Sequence, residues 1–506
     1  MFYNKKYKTP KTENLTLEIK DFSKGLNFSC EENILKPYFS VNAYNYSFKK
    51  GVLTEGYGIK TLSVPNYNDD SFNEVFVNPD TPDVSFNKVW FYKIYDEEIG
   101  GRVDKLMYYA DDQSLMFQRV LTPYPIIAKC FTITLPERPV FTYNYKLNDY
   151  DYNLICAESY TKLYDGFVEP EDLPNAPKIS SMCEDKGKMF CSTYGDRNCV
   201  YYHIGTNIRD WTTTEDLTNG KILMNDNRGK INKVIPFLGY VFVIRDFGIS
   251  KISHYENKNT IDVSHLSLYG NKIYENTVAI CGDKMLMLTK DGIASFNGVT
   301  SKILDLGLNE FLKFNNDNAI GVFHSGKYYL ACKLAFNDEE KIGCETLESF
   351  NNNALIVLDV NTLNYDIIRG IDILSMESVQ FNKMDKVVMV LNNKKDIIVE
   401  LNNNGAFYDE PFKKEWNSPL TDLGYSNKIK LVKNVSLLSN YDCNLTIFTE
   451  KQSKTFKIKG SNTLNKIKVN LKGKQIGVKI TSETKNSYIS NLKFDIDLLD
   501  YEFTKF

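Results

Sequence analysis

The sequence lacks any apolar run long enough to span a lipid bilayer. Its first 22 residues are basic and polar, and they contain no apolar core of the kind that a signal peptide needs. We therefore expect no membrane association. We also expect the chain to be made and kept in a cytoplasm, or to be exported by a route that cleaves no signal.

Motifs for catalysis are also scarce. The chain has four histidines, and none belongs to a nucleophile motif. It has no Gly-x-Ser-x-Gly elbow, no Walker-type phosphate loop, no dinucleotide fingerprint and no sialidase-type Asp box. We interpret His203 and His324, which fall on predicted strands, as structural histidines. The prediction is that the chain is not an enzyme and uses no cofactor.

Patterns for metal binding are weak. Ten cysteines include no Cys-x-x-Cys pair, and no histidine lies at zinc-ligand spacing from two of them. The densest group is Cys183, Cys191 and Cys199, whose spacing of eight could place thiols on neighbouring strands. We interpret the cysteines as small buried hydrophobes in a reducing compartment. The loop at 147–153 carries acidic side chains but lacks an EF-hand pattern, so we favour a surface loop and predict no metal.

The composition itself favours β structure without favouring nucleic acid. Tyrosine and phenylalanine number 33 and 31 against 3 tryptophans, which is typical of half-buried sheet surfaces. The formal net charge of −3 gives no global attraction to DNA, so DNA contact is not indicated. Lysines near the C-terminus alternate with apolar residues, and they predict either a basic face against DNA or an acidic partner, or a solvated sheet face. They are Lys466, Lys468, Lys472, Lys474 and Lys479.

Pairs of short apolar runs recur around tight turns, as in the stretch around Asp291-Gly292. Such pairs lie at 186–202, 238–252, 282–298 and 385–401. The markers Gly187, Gly239, Asp283, Gly326 and Asp385 are separated by 52, 44, 43 and 59 residues. A period of roughly 40–50 residues with several strands per unit is typical of a β-propeller. With two weaker upstream copies, we predict about seven blades.

A β-sandwich or barrel remains the alternative for the repeat region, but it would show denser turn signals and no long period. A helical repeat is disfavoured because apolar residues alternate by two. We therefore predict an all-β chain divided into four parts. They are an extended N-terminal arm with a first hairpin (1–70), the propeller (71–410), a linker (411–427) and a small C-terminal β-sandwich (428–506).

Three features carry a resemblance to a known family. The opening DFSKGLN at Asp21–Asn27 is followed by VNAYNYSFKKGVLTEGYG at Val41–Gly58. A second phrase, GDRNCVYYHIGTNIRDWT, lies at Gly195–Thr212, and the hairpin LTKDGIASFNG lies at Leu288–Gly298. In these features the chain resembles the propeller-bearing tail and neck proteins of tailed bacteriophages, the packaged-DNA stabilisation or tail-hub family.

The opening motif departs from the family's pattern at two positions. The family usually has a glycine at the position of Lys24 and a basic residue at the position of Glu55. The resemblance covers most of the chain in architecture but only about forty residues in motif. It implies a structural virion protein of the neck or tail hub, which assembles as a ring or around the tail axis and joins or stabilises the head–tail assembly.

The resemblance further implies other virion proteins as partners, such as portal, neck or tail components, together with copies of the chain itself in a ring. It implies assembly in the host bacterial cytoplasm and a final location in the virion, with no small-molecule ligand. The N-terminal arm has no core of its own, so we predict that it completes a blade or adds a strand to a neighbouring subunit. The candidate assembly residues are Phe22, Leu26, Phe28, Phe39 and Tyr44.

The chief rival function is a glycan- or receptor-binding propeller of the tail tip or fibre, in which the blade loops carry recognition. Exposed Tyr and Trp side chains on long loops would favour it, and Trp211 and Trp416 are the residues that test it. Flat contacts along the edges and an ordered N-terminal arm would favour the scaffold.

Overall fold

The structure is a computed structural model of the chain. It describes residues 13–23, 26, 35–65, 72–74, 85–96, 101–110, 115–120, 132–166, 169–211, 219–255, 260–309, 311–312, 315–336, 341–342, 345–346, 349–381 and 384–500. The regular secondary structure of the described residues is almost entirely β, apart from single turns of 3-10 helix such as Ile208–Asp210 and Glu275–Thr277. No helix among them is long and apolar enough to cross a membrane.

Seven short strands precede the propeller blades. They are β1 (Glu13–Ile19), β2 (Asn42–Tyr44), β3 (Tyr46–Lys49), β4 (Val52–Glu55), β5 (Gly58–Thr61), β6 (Ser63–Pro65) and β7 (Phe72–Glu74). Strands β6 and β7 pair only with each other in the described part of the chain, whereas β1 to β5 join sheets formed with residues beyond the middle of the chain.

Blades 1 to 3 are antiparallel sheets of four strands in chain order. Blade 1 contains β8 (Phe86–Asp96), β9 (Gly101–Ala110), β10 (Leu115–Val120) and β11 (Thr132–Thr134). Blade 2 contains β12 (Phe141–Leu147), β13 (Tyr150–Cys156), β14 (Thr161–Tyr164) and β15 (Glu171–Asp172). Blade 3 contains β16 (Ile179–Asp185), β17 (Lys188–Thr193), β18 (Cys199–His203) and β19 (Asn219–Leu223).

Blades 4 to 7 repeat this arrangement. Blade 4 contains β20 (Ile231–Phe237), β21 (Tyr240–Arg245), β22 (Gly248–Ser253) and β23 (Asp262–Leu268), and blade 5 contains β24 (Ala279–Cys281), β25 (Lys284–Thr289), β26 (Gly292–Phe296) and β27 (Ser301–Ile303). Blade 6 contains β28 (Ile320–His324), β29 (Lys327–Cys332), β32 (Ala354–Asp359) and β33 (Tyr365–Ile368), with the small hairpin β30 (Lys341–Ile342) and β31 (Glu345–Thr346) inserted between its second and third strands. Blade 7 contains β34 (Ile373–Phe381), β35 (Met384–Leu391) and β36 (Ile398–Asn402).

Two-residue turns of left-handed backbone explain the long repeat in the sequence. The turn between the first and second strands has positive φ at both positions in blades 3, 4 and 6, at Lys186-Gly187, Leu238-Gly239 and Ser325-Gly326. Such turns match the twist of a hairpin, and glycine adopts this backbone without strain. In blade 2 the equivalent turn is Asn148-Asp149, again with positive φ at both positions, and the rest of the predicted loop at 147–153 lies on strands β12 and β13.

An N-terminal strand completes the ring. Strand β5 pairs with β36 as the fourth strand of blade 7, with Ile59 opposite Leu401. Side chains of blades 7 and 1, such as Val388 and Val89, share one hydrophobic cluster, so the last blade packs against the first. The prediction of a propeller with about seven blades is confirmed, and the N-terminal arm completes a blade within its own chain.

The remaining strands extend blade 7 and build the C-terminal sandwich. They are β37 (Ala406–Phe407), β38 (Glu410–Pro411), β39 (Lys414–Asn417), β40 (Lys428–Ser439), β41 (Cys443–Thr449), β42 (Ser453–Ile458), β43 (Ser461–Gly473), β44 (Ile476–Ser482) and β45 (Tyr488–Asp500). Strands β37 and β38 extend blade 7. One sandwich sheet has the order β3-β4-β45-β40-β43, with β1 also paired to β45, and the other has the order β2-β39-β44-β41-β42.

The sandwich therefore differs from the expected division of the chain. Four of its strands come from the predicted arm, and β39 lies inside the predicted linker at 411–427. The arm joins these sheets because its apolar side chains have no core of their own, and β1 finds a complete antiparallel partner in β45.

Candidate functional site

The candidate assembly residues lie mostly inside the chain. Phe22, Leu26 and Tyr44 are at most 2% exposed. Phe22 packs edge-on against Trp416 with ring centroids 5.0 Å apart, and the backbone N–H of Leu26 donates to the Tyr365 hydroxyl at 3.1 Å. These three residues are therefore buried by contacts within their own chain. Phe39 is half-buried and Phe28 lies outside the described residues, so an assembly role for this set stays a prediction.

The contact between propeller and sandwich is built around a buried cation. Arg369, which follows blade 6, is fully buried, and its guanidinium carbon lies 4.9 Å from the Tyr44 ring centroid and 4.0 Å from that of Phe336. Burial lowers the pKa of Arg369 to about 10. On the sandwich side, the buried Glu415 carboxylate accepts from Asn42 Nδ2 at 3.0 Å and pairs with Lys479 at 2.7 Å. The stacking of Arg369 on Tyr44 joins the two units here, whereas the contacts of Glu415 lie within the sandwich.

A serine, a histidine and an aspartate meet in blade 4, but not as a catalytic triad. The His265 Nδ1 atom lies 2.9 Å from Ser250 Oγ and 3.0 Å from Asp226 Oδ2. A triad uses the two opposite ring nitrogens for these contacts, whereas here one nitrogen faces both groups. Asp226 also pairs with Arg228 and with Arg245, which is 1% exposed. The cluster therefore stabilises blade 4.

The described cysteines and acidic residues form no metal centre. No group of three or more His, Cys, Asp or Glu side chains in the described ranges is arranged to hold a metal ion. Cys183, Cys191 and Cys199 lie on the three neighbouring strands β16, β17 and β18 and are buried. Burial raises the pKa of each of these thiols, which keeps them protonated and unreactive.

A cavity of about 690 Å³ opens on the axis of the ring, where first strands of blades 1, 4, 6 and 7 approach one another. Amide and carboxylate side chains form a polar part of its lining, here called the rim: Asn276, Asp317, Asn318, Asn351, Asn352, Asp372 and Asn392. Asp372 fixes part of this rim, because its carboxylate accepts from the backbone N–H of Asn352 at 2.9 Å and from Asn392 Nδ2 at 3.0 Å. The rim presents polar groups, and none of the described lining residues is aromatic.

Two lysines and one glutamate also line the cavity. Lys88 Nζ donates to the Val140 carbonyl at 2.6 Å, and Lys233 Nζ lies 3.4 Å from the Val278 carbonyl. Each acceptor precedes the first strand of the following blade, so each lysine ties its blade to the next. Burial lowers the pKa of Lys88 to about 7 and also lowers that of Lys233. Burial raises the pKa of Glu377 to about 7, against the pull of both lysine charges.

Lys88 and Lys233 were not identified from the sequence as cavity residues, although a repeated tripeptide marks both of them. Asn-Lys-Val occurs at 87–89 and again at 232–234, at the same position of blades 1 and 4. In both strands the register shifts just before the lysine, and such a bulge re-aims the side chain that follows. Simple alternation along the strand gives no way to infer that change.

Comparisons with known proteins show similarity only at the level of the solved structures. No family model and no curated protein matches the chain. The extracellular domain of the one component system BT4673 from B. thetaiotaomicron is 12% identical with a TM-score of 0.41, and the match covers 90% of this chain. This chain spans only 62% of that domain's length.

Two further solved structures are matched over shorter parts of this chain. The N-terminal domain of Nup159 is 9% identical with a TM-score of 0.38, and the match covers 68% of this chain and 95% of that one. YCF48 bound to D1 peptide is 10% identical with a TM-score of 0.36, over 67% of this chain and 97% of that one.

Proposed function

We propose that the chain is a structural, non-catalytic component of a tailed phage or phage-derived particle. It acts at the neck or tail hub, in a ring of copies or around the tail axis, and its partners are other virion proteins. One observation carries this proposal. The segment with the phage-like opening motif joins both units, because Phe22 and Leu26 lie in the cluster shared with blades 5 and 6, and Gly58 begins the strand that completes blade 7.

The construction of the molecule supports a scaffold. The hydrophobic cluster that includes Phe22 runs without interruption from the sandwich into blades 5 and 6. A ring of closed blades joined to a sandwich in this way is stiff without disulfides. The geometry of the Ser250, His265 and Asp226 cluster also favours a structural role over hydrolysis.

Electron microscopy of particles that contain the protein tests this role, together with the native mass of the purified chain. We expect a ring or axial density of fixed copy number into which the propeller and sandwich fit. A stable monomer that is absent from every particle made by the host would contradict the proposal.

Recognition at the axial cavity is the second candidate function. The polar rim and the 690 Å³ volume favour binding of a polar ligand such as a glycan. Two observations support the scaffold over this candidate: the described lining residues include no aromatic platform, and Trp211 and Trp416 are both fully buried. Binding to a glycan panel that is abolished by Asn276→Trp in the rim, with folding intact, would reverse this order.

A further inference from the structure

The C-terminal sandwich carries an unusually one-sided charge. From residue 451 to residue 482 the chain has nine lysines and no acidic residue, although its formal net charge as a whole is −3. The lysines are Lys451, Lys454, Lys457, Lys459, Lys466, Lys468, Lys472, Lys474 and Lys479. This stretch covers β42 and β43, so most of the positive charge lies on two strands.

Those two strands are the outer edges of the two sandwich sheets. Strand β42 ends one sheet and β43 ends the other. They lie side by side, because Lys454 Nζ on β42 donates to the Val469 carbonyl of β43 at 2.9 Å. We call the exposed side chains of Lys457, Lys466 and Lys468 the lysine edge. The salt bridges of the described residues include none of these three.

Blade 2 carries the opposite charge. From residue 147 to residue 177 the chain has seven acidic residues and one lysine. The outermost strand, β15, consists of Glu171 and Asp172, and the exposed Glu169 precedes it. We call these three side chains the acidic edge. Asp172 is 71% exposed although it pairs with Lys162 at 2.7 Å, and Glu171 is 49% exposed although it pairs with Arg209 at 2.9 Å. Such exposed pairs contribute little stability and can exchange partners.

The two charged surfaces lie on opposite sides of one molecule. The sandwich packs against blades 5 and 6 through the cluster that contains Leu286, Tyr328 and Trp416. In a ring of seven blades, blade 2 is three positions from blade 5 in one direction and three from blade 6 in the other. No ion pair of the described residues joins the lysine edge to the acidic edge, so each is available to the other on a second copy.

We propose that the lysine edge of one copy binds the acidic edge of blade 2 on the next copy. This inference rests on the proposed assembly role, since it names the surfaces through which copies meet. The contact joins two different surfaces, so it is heterologous, and repeated contacts of this kind close into a ring if the rotation per copy permits. Exposed lysines on edge strands also prevent uncontrolled strand pairing, which suits a contact made through charge.

Charge reversal in the full-length chain tests the pairing. One variant carries Lys457→Glu, Lys466→Glu and Lys468→Glu, and the other carries Glu169→Lys and Asp172→Lys. Each variant alone places like charges at the contact, so we expect its self-association in sedimentation to weaken at least about tenfold at low ionic strength. The wild-type association itself should weaken as salt is added.

Mixing the two variants provides the decisive comparison. In the mixture each contact between one variant and the other joins opposite charges, so the two variants should bind each other as tightly as two wild-type copies do, and a chain that carries all five changes should associate with itself. Lys290→Glu with Lys302→Glu on blade 5 is the matched control, since both lysines are exposed and lie off the proposed contact. This control should behave as the wild type.

Three results in solution would overturn the inference. They are a wild-type chain that is monomeric at all concentrations, a lysine-edge variant that associates like the wild type, and mixed variants that fail to recover. Loss of DNA binding in the lysine-edge variant with unchanged association would assign that edge to nucleic acid instead.

Incorporation into particles separates the pairing from the proposed function. If the lysine-edge variant still enters particles at full copy number, the pairing fails and the proposed function stands. Absence of the wild type from particles rejects the function itself.

Discussion

Asp226 stabilises blade 4 through ion pairs with two arginines. Its carboxylate pairs with Arg228 at 2.9 Å and with Arg245, whose side chain is 1% exposed and also donates to the Met224 carbonyl at 2.9 Å. An arginine in this position is stable only while its charge is compensated. Blade 4 therefore depends on a carboxylate that lies outside its strands.

We expect Asp226→Ala to reduce the free energy of unfolding by about 3–5 kcal/mol, because it leaves a buried guanidinium uncompensated. Glu13→Ala is the matched control, since this exposed carboxylate also pairs with a cation, Lys428, and should contribute at most about 1 kcal/mol. Urea unfolding followed by tryptophan fluorescence measures both. Equal losses in the two variants would contradict the assignment.

Glu377 predicts a dependence of stability on pH. Its pKa in the folded chain is raised from 4.5 to about 7 by burial, so the folded state retains a proton that the unfolded chain releases between those values. The stability contributed by this proton is present below the lower value and is lost as the pH rises through the upper one. Glu377→Gln cannot ionise, so its melting temperature relative to that of the wild type should rise between about pH 5 and about pH 8. A difference that stays constant across this range would show that Glu377 remains ionised in the folded chain.

At the scale of the element, strand β5 is the part on which ring closure depends. Its first residue, Gly58, faces blade 7 so closely that a Cβ atom there would overlap the carbonyl oxygen of Ala406. The backbone of Ala406 is held in place by the short strand β37, so it cannot withdraw easily. Only a residue without a side chain lets β5 lie beside β36 in this register.

Gly58→Ala should therefore weaken the closure of blade 7 and lower the melting temperature by several degrees. Gly195→Ala, in the second phage-like phrase, is the matched control, because a Cβ at Gly195 meets no atom within 4 Å. Its melting temperature should stay near that of the wild type. Hydrogen exchange of residues 398–402 gives the local readout, and unchanged protection there in the Gly58 variant would refute the closure argument.

The elements that could be predicted from the sequence are those whose signals are local. The turns at Gly187, Gly239 and Gly326 recur with the period of the blades, and this period predicted the propeller. The pairing of β1 with β45 cannot be inferred from a local sequence pattern. The two strands are far apart in sequence, and no turn connects one to the other. Strand β39 was hidden because Pro411 and Pro419 flank it and are typical of a linker.

The candidate site was harder to predict than the fold. Phe22 and Tyr44 stand out as apolar residues in an arm without its own core, but whether such residues bury within the chain or against a partner depends on distant strands. Lys88 and Lys233 escaped notice because a register shift in each strand changes the side that they face.

At the scale of the whole molecule, propeller and sandwich share one core. Phe22 and Trp416 belong to the same cluster as Tyr328 of blade 6, so loosening the sandwich also exposes the propeller. We expect a single cooperative unfolding transition for both units, observed alike by calorimetry and by tryptophan fluorescence.

Phe22→Ala should shift that transition by about 3–5 kcal/mol without splitting it, because it creates a cavity in the shared core. Phe247→Ala provides the comparison, since Phe247 is 38% exposed and its removal should cost far less. Separate transitions for the two units, in the wild type or in the Phe22 variant, would contradict a shared core.

The pairing of β1 with β45 has a consequence for biosynthesis. These are the first and the last strands that the structure describes, and Glu13 lies opposite Leu498. The ribosome synthesises β1 long before it synthesises β45. The blades can therefore fold one after another while the apolar side chains of the first strands remain exposed to solvent. Translation speed and the chaperones present during that interval should therefore determine the yield of native protein more strongly than they do for a propeller of the same size without the sandwich.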